Sequence, residues 1–401
     1  MQQKSAGRIL LALLCGATLF LSACSDTPTE INSVGGSLTE QNILTRDTTF
    51  LLTSSASFKQ VVPMDSSYGY YGTSDNSTDL VGRNKGYTAY TVLRFSATSI
   101  PDRDTINVVS AKLTLHLISW FGDSSASFGF TVHKITTGWS QQGLVWDSVQ
   151  AGFYESGIVR GSYSGTVEAD TQIISVDLDT SMVREWMQPT TISSYGILLA
   201  PTPSTNVIRG INASSFDSTS YWPTLEVIAE NIAGTVRDTT TFIYGIDTFV
   251  GNLDNLVTNP ALLYLQSGVV YRSKLTFDVS TIPRGTLISS ADLMLVRDPA
   301  SSSASKFIAA PLALANVLLS ESSLLSFESG SSSAEQVGTT DTFKIDLRHA
   351  VQLWLRGNNY GVLLRAPSWS EFNSNASIAF YNQNATTEAL RPKLKVKCII
   401  P

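Results

Sequence analysis

From about residue 47 onward the chain is built of short runs in which apolar and polar residues alternate. Clusters of Gly, Asn, Asp, Ser and Pro separate these runs. In Lys112-Leu113-Thr114-Leu115-His116-Leu117 the leucines share one face and the polar residues the other. A period of two with one wet face predicts antiparallel strands that pack a single face on a core. Two places break this rhythm. Met182, Val183, Trp186 and Met187 fall at helical spacing, and Ala350, Val351, Trp354 and Leu355 repeat it. Each predicts a short helix with one apolar stripe. Asp179 or Thr180 can cap the first helix and Asp346 the second. Helices this short are marginal in water, so each must dock its tryptophan on a sheet.

The two halves repeat. Leu93-Arg94-Phe95, Ile100-Pro101 and Ser110-Ala111-Lys112-Leu113-Thr114-Leu115 return as Leu275-Thr276-Phe277, Ile282-Pro283 and Ser290-Ala291-Asp292-Leu293-Met294-Leu295. Ile174 to Leu178 matches Phe343 to Leu347. Tyr195-Gly196-Ile197-Leu198-Leu199 matches Tyr360-Gly361-Val362-Leu363-Leu364. Trp222-Pro223-Thr224-Leu225-Glu226-Val227 matches Arg391-Pro392-Lys393-Leu394-Lys395-Val396. Blocks conserved in order predict two domains, 47–230 and 231–401, joined near Ala233-Gly234.

These blocks, with Trp139-Ser140, Val145-Trp146 and the Asp177-Leu178 to Trp186 stretch, resemble the DNRLRE domain family. The resemblance covers 47–230 well and 231–401 more loosely. It implies an all-β fold of two tandem antiparallel jelly-roll-like β-sandwiches, each with one short helix. It also implies an exported protein related to carbohydrate-binding modules. The second repeat departs from the pattern: Ser320 stands for Trp139, Phe327 for Trp146 and Thr276 for Arg94. If the tryptophan pair touches ligand, only the first domain binds. If it is packing, the second domain has repacked; the strand-turn-strand context favours packing.

The N-terminus changes the picture of where the chain works. Lys4 and Arg8 precede an uncharged apolar stretch, Ile9 to Leu21, and Leu21-Ser22-Ala23-Cys24 closes it. This reads as a secretory signal over 1–23 with a lipobox, so that Cys24 carries lipid. Residues 24–46, rich in Ser, Thr, Asn and Gly, read as a flexible tether. The expected location is the bacterial cell envelope, lipid-anchored, at the outer membrane, since Ser25 rather than Asp follows the cysteine. Removing Lys4 and Arg8 takes the formal charge from −6 to −8. A scattered acidic balance speaks against nucleic acid as a partner. Of three cysteines, Cys15 leaves with the signal and Cys24 takes lipid. That leaves Cys398, in an alternating strand pattern, as a small core residue.

No catalytic constellation stands out, and the expectation is a non-catalytic protein without cofactor. His116, His133 and His349 have no partners at metal-ligand spacing, and Asp65, Asp75 and Asp79 match no recognised calcium loop. The best ligand candidates are Tyr68, Tyr70 and Tyr71 in the polar stretch 63–79. Tyrosine on a polar loop offers a flat ring face and a hydroxyl. Polysaccharide is the expected partner. The alternative is a structural or adhesive role in contact with envelope proteins.

Overall fold

The structure, a computed structural model, describes residues 44–59, 78–95, 106–141, 143–187, 194–213, 221–253, 259–303, 312–321, 326–371 and 374–400. It is all-β, with two sheets, each curled into a barrel- or sandwich-like body. The first sheet contains β2 (Thr78–Asn84), β3 (Tyr87–Phe95), β4 (Ile106–Gly122), β5 (Ser127–Lys134), β6 (Gly161–Thr166), β7 (Gln172–Asp177), β8 (Ile197–Pro201), β9 (Val207–Asn212), β10 (Thr224–Asn231) and β11 (Arg237–Leu253). Within it β11, β10, β4, β9, β2 and β3 follow one another, and β3 pairs back to β11 to close the ring. Alternation decides which side faces in: Leu113, Leu115 and Leu117 of β4 are buried, whereas Lys112, Thr114 and His116 face outward.

The second sheet joins β1 (Leu44–Lys59) to β12 (Leu262–Gln266), β13 (Tyr271–Phe277), β14 (Leu287–Val296), β15 (Leu314–Leu318), β16 (Phe327–Ser333), β17 (Glu335–Gln336), β18 (Thr342–Asp346), β19 (Val362–Arg365), β20 (Ser377–Tyr381) and β21 (Lys393–Ile400). The sheets are therefore offset from the sequence repeats by one strand. β1 opens the first repeat yet lies between β21 and β13 of the second. β11 opens the second repeat yet lies between β10 and β3 of the first. The two insertions share a register: Phe50 faces Leu394, and Phe242 faces Leu225. Both long strands break register midway, between Leu52 and Ser54 and between Tyr244 and Ile246, as they change partners. β1 also begins at Leu44, inside the stretch read from sequence as tether.

A local turn explains the exchange. Asn231 to Val236, where the repeats meet, is the turn of the β10–β11 hairpin. The Asn231 side-chain oxygen accepts from the Thr235 and Val236 amides, and Gly234 has φ +67°. Such a turn joins β11 to its sequence neighbour. The equivalent place beside β21 is then free for β1.

Each body carries its helix as expected. In α1 (Thr180–Trp186) Asp179 caps the Ser181 amide at 2.8 Å, and Met182, Val183 and Trp186 are buried. In α2 (Arg348–Trp354) Asp346 accepts from the Arg348 amide at 2.8 Å, and Ala350, Val351 and Trp354 are buried. Trp186 is 6% exposed and packs among Leu113, Val176 and Leu199 in the first core. Trp186→Ala is expected to cost about 3–5 kcal/mol. Chemical denaturation would reveal it, and an unchanged midpoint would refute the core role. The Tyr-Gly block also finds a reason. Gly196 and Gly361 have φ of +93° and +89°, and a Cβ there would lie 2.1 and 2.3 Å from the carbonyls of Leu93 and Leu275. Glycine is required where β8 and β19 come against β3 and β13.

Cys398 is buried and its thiol points to the Arg46 carbonyl on β1. The bodies touch where Val269, in the β12–β13 turn, joins Leu80, Tyr87, Ala89, Phe121 and Ile208 on the first. No helix among the described residues is long and apolar enough to cross a membrane.

Candidate functional site

The site candidates chosen from sequence fall in two groups. Cys24, Tyr68, Tyr70 and Tyr71 lie outside the described residues. The histidines are described, and each has a structural setting. His133 is buried, with Nδ1 2.9–3.0 Å from the carbonyls of Glu155 and Ile158 and Nε2 2.8 Å from the Thr131 hydroxyl. His349 is exposed beside Glu328 at 2.9 Å, and His116 meets the edge of Tyr221. No group of three or more His, Cys, Asp or Glu side chains among the described residues is placed to hold a metal.

The tryptophan pair is packing. Residues 136–141 and 143–160 fold over the outer face of β3, β8 and β11. There Trp139, Leu144 and Trp146 lie half-buried on Val92, Leu198 and Val250, together with Tyr90, Tyr154 and Tyr195. The Trp139 indole N–H donates to the Tyr195 carbonyl at 2.7 Å, and Trp146 lies 4.9 Å from Tyr90, ring centre to ring centre. Val92 is fully buried beneath this cap.

Among the described residues, the same face of the second body carries no tryptophan cap. Lys274 stands at the position of Val92, and Thr276 at that of Arg94, when Leu275-Thr276-Phe277 is aligned on Leu93-Arg94-Phe95. Ser320 and Phe327 replace the tryptophans. The result is an open cleft of about 670 Å³ lined by Ser54, Ser55 and Ala56 of β1, Lys274 and Thr276 of β13, Glu321, and Asn358-Asn359-Tyr360. Ser54 and Ala56 of β1 and Lys274 and Thr276 of β13 are the outward residues here. Ser54 pairs with Thr276 and Ala56 with Lys274, while Leu275 between them enters the core. Asn359 fixes the far wall: its amide donates to the Phe277 carbonyl at 2.6 Å, and its oxygen accepts from the Gly361 amide. Asn358 donates to the Tyr360 hydroxyl at 2.7 Å across an exposed edge.

Chemically the cleft offers hydroxyls, primary amides, one ammonium and one carboxylate around the Tyr360 ring. It suits a polar ligand with many hydroxyls better than an apolar one. Sequence reading placed the ligand candidates in the first repeat and missed this site. The signal available was the loss of Trp139 and Trp146 at Ser320 and Phe327. What it could not convey was that the β1 residues completing the floor come from the other end of the chain.

A search of protein families, curated proteins and solved structures finds no match to this chain.

Proposed function

We propose that this chain is an exported lipoprotein, anchored by lipid on Cys24 at the bacterial envelope, that binds polysaccharide without catalysis. The observation that carries the binding reading is the contrast between the repeats. The first body covers its outer face with tryptophans, whereas the described residues of that face in the second body line a polar cleft. The tyrosine ring and the surrounding hydroxyl and amide groups fit the flat C–H faces and hydroxyl rims of sugars. The signal and lipobox reading of residues 1–24, and the resemblance of Leu93 to Leu199 to the DNRLRE family, point the same way. Family likeness alone does not fix function, which must rest on the site.

The test is a glycan array probed with the mature protein, followed by titration of any hit. Lys274→Ala combined with Asn358→Ala is expected to weaken binding by at least about tenfold, the worth of one to two hydrogen bonds to charged or polar groups. Both side chains are surface groups, so the fold should be unaffected. Loss of binding on changing Tyr68, Tyr70 and Tyr71, with the cleft variant unaffected, would move the site to that loop. Enrichment of envelope proteins with no glycan hit would replace sugar binding by an adhesive role.

A further inference from the structure

The first body holds two carboxyl groups in its interior. Asp79 of β2 is 3% exposed and Asp247 of β11 is 2% exposed. Asp247 faces Leu93 and Asp79 faces Ile211, both core residues, so the two acids point inward with them. They are hydrogen-bonded to each other, and the second oxygen of each has no partner. No salt bridge joins either acid to a cation among the described residues. β2 belongs to the first repeat and β11 to the second, so the contact spans the strand exchange.

The architecture does not demand this pair. By the same registers, Leu263 faces Phe380 and Ser55 faces Leu275 in the second body. An apolar residue and a serine therefore fill the places that acids fill in the first. We propose that Asp79 and Asp247 are protonated against each other, and that this protonated pair clasps β11 of the second repeat to β2 of the first, so that the junction loosens as the pair gives up its protons.

The surroundings favour a proton over other counter-charges. Arg209 of β9 is fully buried, but its guanidinium donates to the Gln172 side chain and to the carbonyls of Ala169 and Asp170. Tyr244 of β11 is held above the usual phenol range by burial and then by both acids, so it stays neutral. Arg83 of β2, Tyr87, Tyr90 and Arg94 of β3, and Arg237 and Asp238 of β11 are the other titratable groups on these strands. Lys112 and His116 of β4, and Glu226 and Glu230 of β10, are on the outer faces of their strands. A calcium ion would want six to eight oxygens. Here there are two carboxyls, and the Asp247 carbonyl already accepts from Gln141 at 2.6 Å.

Two carboxylates in contact inside a core cannot both ionise without a large penalty. Burial first, and then Asp247, holds the Asp79 carboxyl well above the usual carboxylate range; burial pushes Asp247 up to about 6. Folded-state values above the unfolded ones mean that the contribution is complete below the ordinary aspartate range. It is lost as pH rises through about 6 and beyond. Asp179, whose carboxyl is held down to about 2 first by the Ser181 hydroxyl and then by Arg160, acts in the opposite direction at lower pH, so the two effects separate.

The experiment follows thermal melts of the full mature chain from about pH 5 to about pH 8. The wild type is expected to lose on the order of 5 °C over this range, and the Asp79→Asn/Asp247→Asn double variant to lose little of it. Asp79→Asn alone should remove a protonated-carboxyl infrared band that the wild type retains at neutral pH. Local loosening is read by thiol labelling of Val250→Cys on β11 against Cys398 in the other body. That ratio should rise with pH in the wild-type background and stay level with Asp79→Asn. A level wild-type profile, an absent infrared band, or a slope unchanged in the double variant would overturn the proposal. So would a calcium-dependent rise in Tm that the double variant lacks, because the pair would then be a cation site.

Discussion

Deleting residues 44–59 is expected to unfold the second body while leaving the first folded. β1 pairs with β21 from Leu44 to Leu51 and with β13 from Leu52 to Lys59. Its removal opens the sheet along two strands at once, leaving a row of unpaired amides and carbonyls on each. It also withdraws Phe50 and Leu52 from the core, uncovers Cys398 and strips Ser54, Ser55 and Ala56 from the cleft. The loss is therefore structural and functional together. The first body keeps its own closing strand, β11, and loses nothing but support at the Val269 contact. Hydrogen exchange on the deleted protein should show protection in residues 78–253 and none in 259–400. Adding a peptide of sequence 44–59 in trans should restore protection and labelling resistance at Cys398. A deletion protein whose second half stays protected would show that β1 is an accessory strand rather than the one that closes the sheet.

That prediction was beyond reach of the sequence, although much else was not. Periodicity revealed the strands, and recurring blocks revealed the repeat; the helix stripes placed Trp186 and Trp354 in their cores. These features are local or are carried by side-chain pattern, which is where hydrophobic burial leaves its mark. The exchange of β1 and β11 leaves no such mark. Both strands carry Arg-Asp-Thr-Thr, at Arg46–Thr49 and Arg237–Thr240, shortly before a phenylalanine, and present that phenylalanine to a leucine in the same register, so either fits either slot. What decides between the slots is the Asn231–Val236 turn, a feature six residues long that reads from sequence as a linker. The acid pair was hidden for a related reason. Asp79 looked like part of a polar loop because its neighbours are polar, and its burial depends on Asp247, far along the chain in a strand of the other repeat. The cleft, likewise, needs strands from both ends of the chain.

Glu371→Ala is expected to destabilise the second body by about 3–5 kcal/mol. Glu371 closes α3 (Ser368–Glu371), and its carboxylate grips Arg272 of β13 with both oxygens, at 2.9 Å to Nε and 2.8 Å to Nη2. Its side chain is 1% exposed and that of Arg272 is 8% exposed. Two charges have thus left water, and the geometry that compensates is a fork-to-fork pair. Truncating the glutamate leaves the guanidinium desolvated without these two oxygens, which costs far more than a surface ion pair would. The site matters beyond its own energy. The Glu371 carbonyl accepts from Gly268, in the β12–β13 turn that carries Val269 to the first body. A loosened α3 should therefore weaken the contact between the bodies as well. The decisive measurement is a double-mutant cycle with Arg272→Met, which removes the charge and keeps the bulk. If the pair is held by mutual neutralisation, Arg272→Met should recover most of the stability lost in Glu371→Ala. If the two losses simply add, the role of Glu371 is to shape the turn, and the charge is incidental.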